Sequence, residues 1–320
     1  MRWFIVLMAI ALNACHEVVA PPERNLEIAP KNGVWVTVLG TVQDAGYPHI
    51  NCKKICCAEI THSVSEKKVA SLGVLDFNHE KAYLIDATPD ITSQLKYLKS
   101  EMSSRENEIP DAVFLTHAHI GHYTGLMYFG REALGGDSIP VYAMPRMKGF
   151  LETNGPWSQL VELNNIDLQP MAADSAIYLS EKLVITPFLV PHRDEYSETV
   201  GFKIQGPNKS LIYIPDIDKW SKWEVNIVAL SREVDFLLLD GTFYSEEELN
   251  HRDPSEIPHP LVTETMKFFL DAGLRKVDLH KIHFIHLNHT NPLLDTDHPI
   301  YEEVVDKGFR IADFGDQFAL

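Results

Sequence analysis

The feature that most constrains this chain is the run Phe114-Leu115-Thr116-His117-Ala118-His119-Ile120-Gly121-His122-Tyr123-Thr124-Gly125. It follows a strand-like apolar stretch and precedes a helix-like one. His117 and His119, two apart on extended backbone, project to the same side. His122 comes where the chain turns into the helix and approaches the same point from another direction. Three neutral imidazoles converging at a strand end suit a transition metal. A lone histidine there reads as an ordinary polar residue; three within so short a run do not.

Around this run the chain reads as one α/β domain over residues 33–320. Short apolar runs predict strands at 34–39, 71–77, 82–85 and 112–116, then at 183–190, 199–204, 210–214, 236–239 and 282–286. Helical spacing marks 91–100, 219–230 and 260–271, the last closed by Gly273. Strands then helix, twice over, suggest two mixed sheets packed together with helices outside. The 320 residues are 45% hydrophobic, an ordinary globular balance. With 45 acidic against 28 basic residues the net charge is −17, which argues against a phosphate grip spread over the surface and so against a nucleic-acid partner. Four cysteines are too few for a disulfide-built scaffold.

The His117-x-His119-x-x-His122 run resembles the signature of the metallo-β-lactamase superfamily, and further landmarks follow in order. Leu84-Ile85-Asp86-Ala87-Thr88 is similar to the strand-end aspartate that braces the metal loop. Val190-Pro191-His192, Tyr213-Ile214-Pro215-Asp216 and Phe284-Ile285-His286 each end a strand on a potential ligand. The resemblance spans about residue 33 to the C-terminus and implies a four-layer αββα sandwich. Gly40-Thr41-Val42-Gln43-Asp44-Ala45-Gly46 and the stretch from His286 to Pro292 look most like the branch of pyrroloquinoline quinone biosynthesis protein B. The phosphodiesterases of the phosphonate pathway and of tRNA 3′ processing are similar in layout.

The resemblance implies one or two transition metals, zinc first, with manganese or iron as alternatives. His117, His119 and His192 would bind the first, His122 and His286 the second, with Asp216 shared and catalytic. The superfamily usually has a carboxylate where this chain has Gly121, so a weaker or selective second site is expected. Asp44, Asp86 and Asp240 are placed behind the ligands, with Asp44 or Asp240 left to make up the missing oxygen. Glu195 is a candidate proton donor to a leaving group, with a solvated surface acid as the plainer reading.

Cys52-Lys53-Lys54-Ile55-Cys56-Cys57 follows the first strand and its glycine loop. In the related branches a cysteine cluster here joins a histidine to hold a structural zinc, which implies Cys52, Cys56, Cys57 and His289. A disulfide between Cys52 and Cys56 or Cys57 is the alternative. The remaining histidines, His49, His259 and His283 among them, have no partner at convincing spacing.

Residues 1–14 have one positive charge, a short apolar stretch and a small residue before Cys15, the pattern of an export signal. Leu12-Asn13-Ala14-Cys15 resembles a bacterial lipobox. The expectation is an exported lipoprotein, lipidated at Cys15, facing the periplasm or the cell exterior, touching membrane only through that anchor. Residues 15–32, with Pro21-Pro22 and Pro30, form a tether. The whole reads as an exported metallo-hydrolase, attacking a phosphodiester or cyclic ester of a small molecule with metal-bound hydroxide. Two alternatives stand beside it: metal-dependent oxidation in quinone-cofactor assembly, and a non-catalytic metal- or ligand-binding protein on the same fold.

Overall fold

The computed structural model describes residues 31–58, 60, 67–249 and 257–320. The leader and Cys15 lie outside them, as does the tether up to residue 30. The first sheet has seven strands: β1 (Val34–Gly40), β2 (Ser71–Asp76), β3 (Lys81–Ile85), β4 (Ala112–Phe114), β5 (Ile139–Ala143), β6 (Ile166–Pro170) and β14 (Gln317–Ala319). Their order across the sheet is β14-β1-β2-β3-β4-β5-β6. The second sheet, also of seven, comprises β7 (Ile177–Ser180), β8 (Leu183–Leu189), β9 (Val200–Gln205), β10 (Ser210–Ile214), β11 (Phe236–Asp240), β12 (Ile282–Ile285) and β13 (Arg310–Ile311). It runs β13-β12-β11-β10-β9-β8-β7.

Alternation along the strands makes the layers. On β10, Leu211 and Tyr213 face the first sheet, while Ile212 and Ile214 join a second apolar cluster on the outer face. Between the sheets Phe114 of β4 meets Phe202 of β9 edge-on at 6.0 Å, and Phe236 of β11 meets Phe318 of β14 at 5.1 Å. The first sheet's outer face is covered by α2 (Ile91–Glu101), through Leu95 and Leu98, and by α4 (Pro145–Thr153), through Met147 and Leu151. The second is covered by α6 (Ile227–Ser231), α7 (Val262–Asp271) and α9 (Pro299–Asp306). Val262, Met266 and Phe269 of α7, at helical spacing, supply its buried stripe. Shorter helices lie in the connections: α1 (Ile55–Ala58), α3 (Ile120–Tyr123), α5 (Trp157–Glu162) and α8 (Lys276–Leu279). This is the expected four-layer sandwich.

One predicted helix is corrected. Residues 219–230 do not form a continuous helix: a single 3-10 turn covers Trp220–Lys222, and α6 begins only after Asn226. Trp220 is tied by its indole N–H to Thr265 Oγ1 at 2.8 Å. Asn226 accepts from the Val228 and Ala229 N–H groups and so starts a new helix instead of continuing an old one.

Strand direction places the site. β1 and β3 run the same way because each is antiparallel to β2, and β4 is parallel to β3. In the second sheet β8, β10, β11 and β12 share a direction for the same reasons. The carboxyl ends of these strands and the segments leaving them carry Asp44, Asp86, the His117–His122 run, His192, Asp216, Asp240 and His286. Among the described residues no helix is long and apolar enough to cross a membrane.

Candidate metal centre

His117, His119, His192 and Asp216 bring one donor atom each to within 4.8 Å of the others. His119 Nδ1 lies 2.8 Å from His117 Nε2 and 3.3 Å from His192 Nε2. Asp216 Oδ2 is 3.3 Å from His117 Nε2, and its Oδ1 is 3.2 Å from His192 Nε2. Asp44, His122 and His286 form a second such group. Asp216 joins the two, with Oδ2 4.0 Å from His122 Nε2 and 3.9 Å from His286 Nε2.

Side chains behind these rings dictate which nitrogen faces inward. Thr116 donates its hydroxyl to Asp86, at 2.9 and 3.0 Å. A hydroxyl has one proton, so toward His117 Nδ1, at 3.0 Å, it accepts. His117 therefore holds its proton on Nδ1 and turns a bare Nε2 inward. The same relay recurs in the other sheet. Thr242 donates to Asp240 Oδ1 at 2.7 Å and accepts from His286 Nδ1 at 3.0 Å. His122 donates from Nδ1 to Asp86 Oδ2 at 2.7 Å. His119 is the reverse case, with Nδ1 inward and Nε2 held from outside by Glu195 Oε2 at 3.2 Å. Asp86 and His286 take left-handed backbone angles, φ 66° and 64°, which non-glycine residues adopt only where surrounding bonds enforce them.

The charge balance asks for cations. Asp86, Asp216 and Asp240 are buried, and Asp44 is nearly so. Among the described residues no lysine or arginine forms an ion pair with any of the four. Their charged neighbours are imidazoles instead, the same rings whose nitrogens face the centre, and buried carboxylates are costly unless paired. Burial opposes ionisation of Asp44, yet His122 and His286 outweigh it and hold its carboxyl well below the usual range. Burial likewise opposes charge on His122, but Asp86 and Asp44 hold it well above the ordinary histidine value. The inner edge of this ring is a place for positive charge. Asp44 Oδ1, His122 Nε2, His286 Nε2 and Asp216 Oδ1 are all buried without a hydrogen-bond partner, so the donor set fits a pair of metal ions.

His259, which has no informative spacing in the sequence, sits inside this centre. Its Nδ1 lies 2.9 Å from Asp240 Oδ2 and 3.1 Å from Asp216 Oδ1. Burial disfavours its charge, but the two carboxylates push its pKa up to about 10. No local motif announces it, because it reaches the centre from the loop before α7, far from the other ligands in sequence.

A separate group joins Cys52, Cys56, Cys57 and His289, again with donor atoms within 4.8 Å of one another. The three thiols are free. Burial, then the neighbouring thiols, push Cys56 up to about 12. Opposition to ionisation at Cys56 and Cys57 is what a bound cation relieves, and three sulfurs with one imidazole make a closed tetrahedral set. His49 packs on His289 at 4.2 Å and donates its backbone N–H to Cys57 Sγ at 3.4 Å, so it belongs here.

A family model described as the beta-lactamase superfamily domain matches residues 81–284. The chain belongs to this superfamily. Coenzyme PQQ synthesis protein B of Xanthomonas euvesicatoria pv. vesicatoria is 27% identical over 316 residues, covering 89% of this chain and 99% of that protein. The protein of the same name from Methylococcus capsulatus is 26% identical, covering 87% and 97%. Among solved structures, zinc-bound PqqB from Methylobacterium extorquens superposes with a TM-score of 0.72 at 23% identity, covering 89% of this chain and 100% of that one. A diphosphatase of the PhnP family gives 0.61 at 22%, covering 89% and 96%. These two likenesses are of fold. The chain thus has the metallo-β-lactamase fold, and Gly121 is where it departs from the superfamily's usual signature.

Proposed function

We propose that this chain is a metal-dependent hydrolase acting on a phosphodiester or cyclic ester of a small molecule. The observation that carries the reading is Asp216, whose two oxygens face both donor groups at 3.2 to 4.0 Å. A carboxylate between two neighbouring cation sites is the arrangement of two-metal hydrolysis. Metal ions held there would supply Lewis acidity and would make water acidic enough to attack near neutral pH. His117, His119 and His192 would hold one ion, His122 and His286 the other. Asp216 would orient the attacking water, and His259, bonded to Asp240, stands 3.1 Å from Asp216 Oδ1. Glu195, bonded to the outer nitrogen of His119, orients that ring; partial desolvation opposes its charge, but His119, its own backbone N–H and Arg193 hold its carboxyl below the ordinary value. That supports a positioning role over proton donation to a leaving group.

The cysteine group with His289 is proposed as a structural zinc site. The net charge of −17 supports a small substrate over polymeric nucleic acid. Export and lipidation at Cys15 are part of the same proposal and rest on the sequence of the leader alone. A second reading, a role in quinone-cofactor assembly, draws on the names of the curated relatives, and its oxidative form would place iron in the histidine groups.

The test is turnover of bis(p-nitrophenyl) phosphate and of simple lactones by zinc- or manganese-loaded protein, beside His119→Ala. Activity lost in the variant supports hydrolysis. Metal-loaded wild type that hydrolyses neither class above its variant sinks the reading, and bound iron with oxygen uptake selects the second.

A further inference from the structure

We infer that the carboxylate ligand of the second metal has moved from the helix start to the loop after β1: Asp44 supplies the oxygen donor, and Gly121 is the residue that makes room for it. This rests on the two-metal reading above and decides between the two carboxylates, Asp44 and Asp240, that the sequence leaves open. A Cβ on Gly121, in α3, would lie 2.3 Å from Asp44 Oδ1 and 2.7 Å from Asp44 Cα. Part of that clash is with backbone, which cannot swing aside as a side chain can. An aspartate at 121 and this path of the β1 loop are therefore mutually exclusive, and the loop brings a carboxylate of its own.

Asp44 Oδ1 is 3.1 Å from His122 Nε2 and 3.5 Å from His286 Nε2. Both rings are completely buried, and none of the three atoms has a hydrogen-bond partner. The loop is also registered against His286 by backbone. Leu287 N–H donates to Thr41 O at 2.8 Å and Gln43 N–H to Leu287 O at 3.0 Å, so the residues flanking Asp44 and His286 are clamped to one another. Gly46, at φ +72°, turns the chain back with its N–H on Gln43 O at 2.9 Å.

Asp240, the other carboxylate available for this duty, is already committed. Its oxygens accept from the Ile217 N–H at 3.1 Å, the Thr242 N–H at 2.9 Å, the Thr242 hydroxyl at 2.7 Å and His259 at 2.9 Å. A carboxylate with that many donors has no free lone pair for a cation, whereas Asp44 Oδ1 has.

The experiment uses the full chain, stripped of metal and titrated with zinc ions alone against a competing chelator, with bound zinc per chain read by elemental analysis. Asp44→Ala and the isosteric Asp44→Asn are compared with wild type, with His119→Ala, and with Asp240→Asn, each checked for folding by circular dichroism. The expected result is that both Asp44 variants lose one tightly held zinc, or bind it more than ~10-fold more weakly, while the remaining zinc is held as in wild type. Asp44 variants that keep every wild-type zinc at unchanged affinity overturn the inference, as does the loss appearing in Asp240→Asn alone. If wild type and His119→Ala hold the same zinc, the two-metal reading itself fails and the inference falls with it.

Discussion

Two hydroxyls, on Thr116 and Thr242, decide which nitrogen His117 and His286 turn toward the centre. Each donates its proton to a buried carboxylate and has only a lone pair left for the imidazole. Replacing Thr242 by valine keeps the shape and removes the relay. We expect the zinc held by His286 to weaken by about 10- to 100-fold, at a cost in fold stability of about 1–2 kcal/mol. Chelator-competed zinc titration beside a thermal melt measures both, and unchanged affinity would show that the ring is oriented by packing alone. Gly121→Ala is the complementary test of close approach. With 2.3 Å to Asp44 Oδ1 the added methyl must displace the β1 loop, destabilising the fold by about 1–3 kcal/mol and releasing the same zinc as Asp44→Ala. At this scale the histidines at motif spacing are legible from the residues alone, because spacing on a strand translates directly into direction. His259 is not, since its loop is distant in sequence and only the return of the chain to Asp216 and Asp240 gives it partners.

At the scale of elements, β12 holds one histidine along its length and releases another just past its end. His286 turns toward the centre, while His283 points between the sheets, its ring edge-on to Phe318 of β14 at 5.0 Å. Burial there, with Arg310 adding to it, lowers the His283 pKa to about 4, below the ordinary value of about 6.5 for an unfolded chain. Between those two values the unfolded chain binds the extra proton and the folded one does not. The contribution of His283 is therefore complete above about pH 6.5 and lost as pH falls through about 4. Urea unfolding of wild type and His283→Leu over that window should show wild type losing on the order of 2–3 kcal/mol more than the variant; parallel pH profiles would contradict it. Strands with a continuous or alternating apolar pattern, such as β2 and β10, are readable from the sequence. The edge strand β7 is not, because Tyr178 is exposed there and the alternation fades. Nor is the break inside 219–230, which depends on Trp220 reaching Thr265 of α7 across the outer layer.

Across the whole molecule, the same residues that gather metal ligands also concentrate buried carboxylates at one edge of the sandwich, paired with imidazoles rather than with lysine or arginine. Stripping the metals should therefore lower the thermal midpoint, and restoring zinc should raise it again. Differential scanning calorimetry of the chelated and reloaded protein checks this, and identical midpoints would mean the carboxylates are neutralised some other way. The fold itself rests on the layer between the sheets. Phe202 is completely buried there against Phe114, and Phe202→Ala should cost about 3–5 kcal/mol, measured as a lower urea midpoint with the metal-binding stoichiometry intact.

Strand periodicity and histidine spacing are properties of neighbouring residues. They suffice for an α/β chain of two sheets and for the His117–His122 ligand run, while the four-layer sandwich and the strand-end positions of His192, Asp216 and His286 come with the family resemblance those residues carry. They do not suffice to say whether Gly121 means a missing ligand, because spacing along the chain says nothing about which loop fills the space above a glycine. That answer comes from contacts between distant segments: the clamp between Thr41, Gln43 and Leu287 carries Asp44 into the space. The same is true of His259, whose partnership with Asp216 and Asp240 exists only once the second sheet and its covering helices have closed around them.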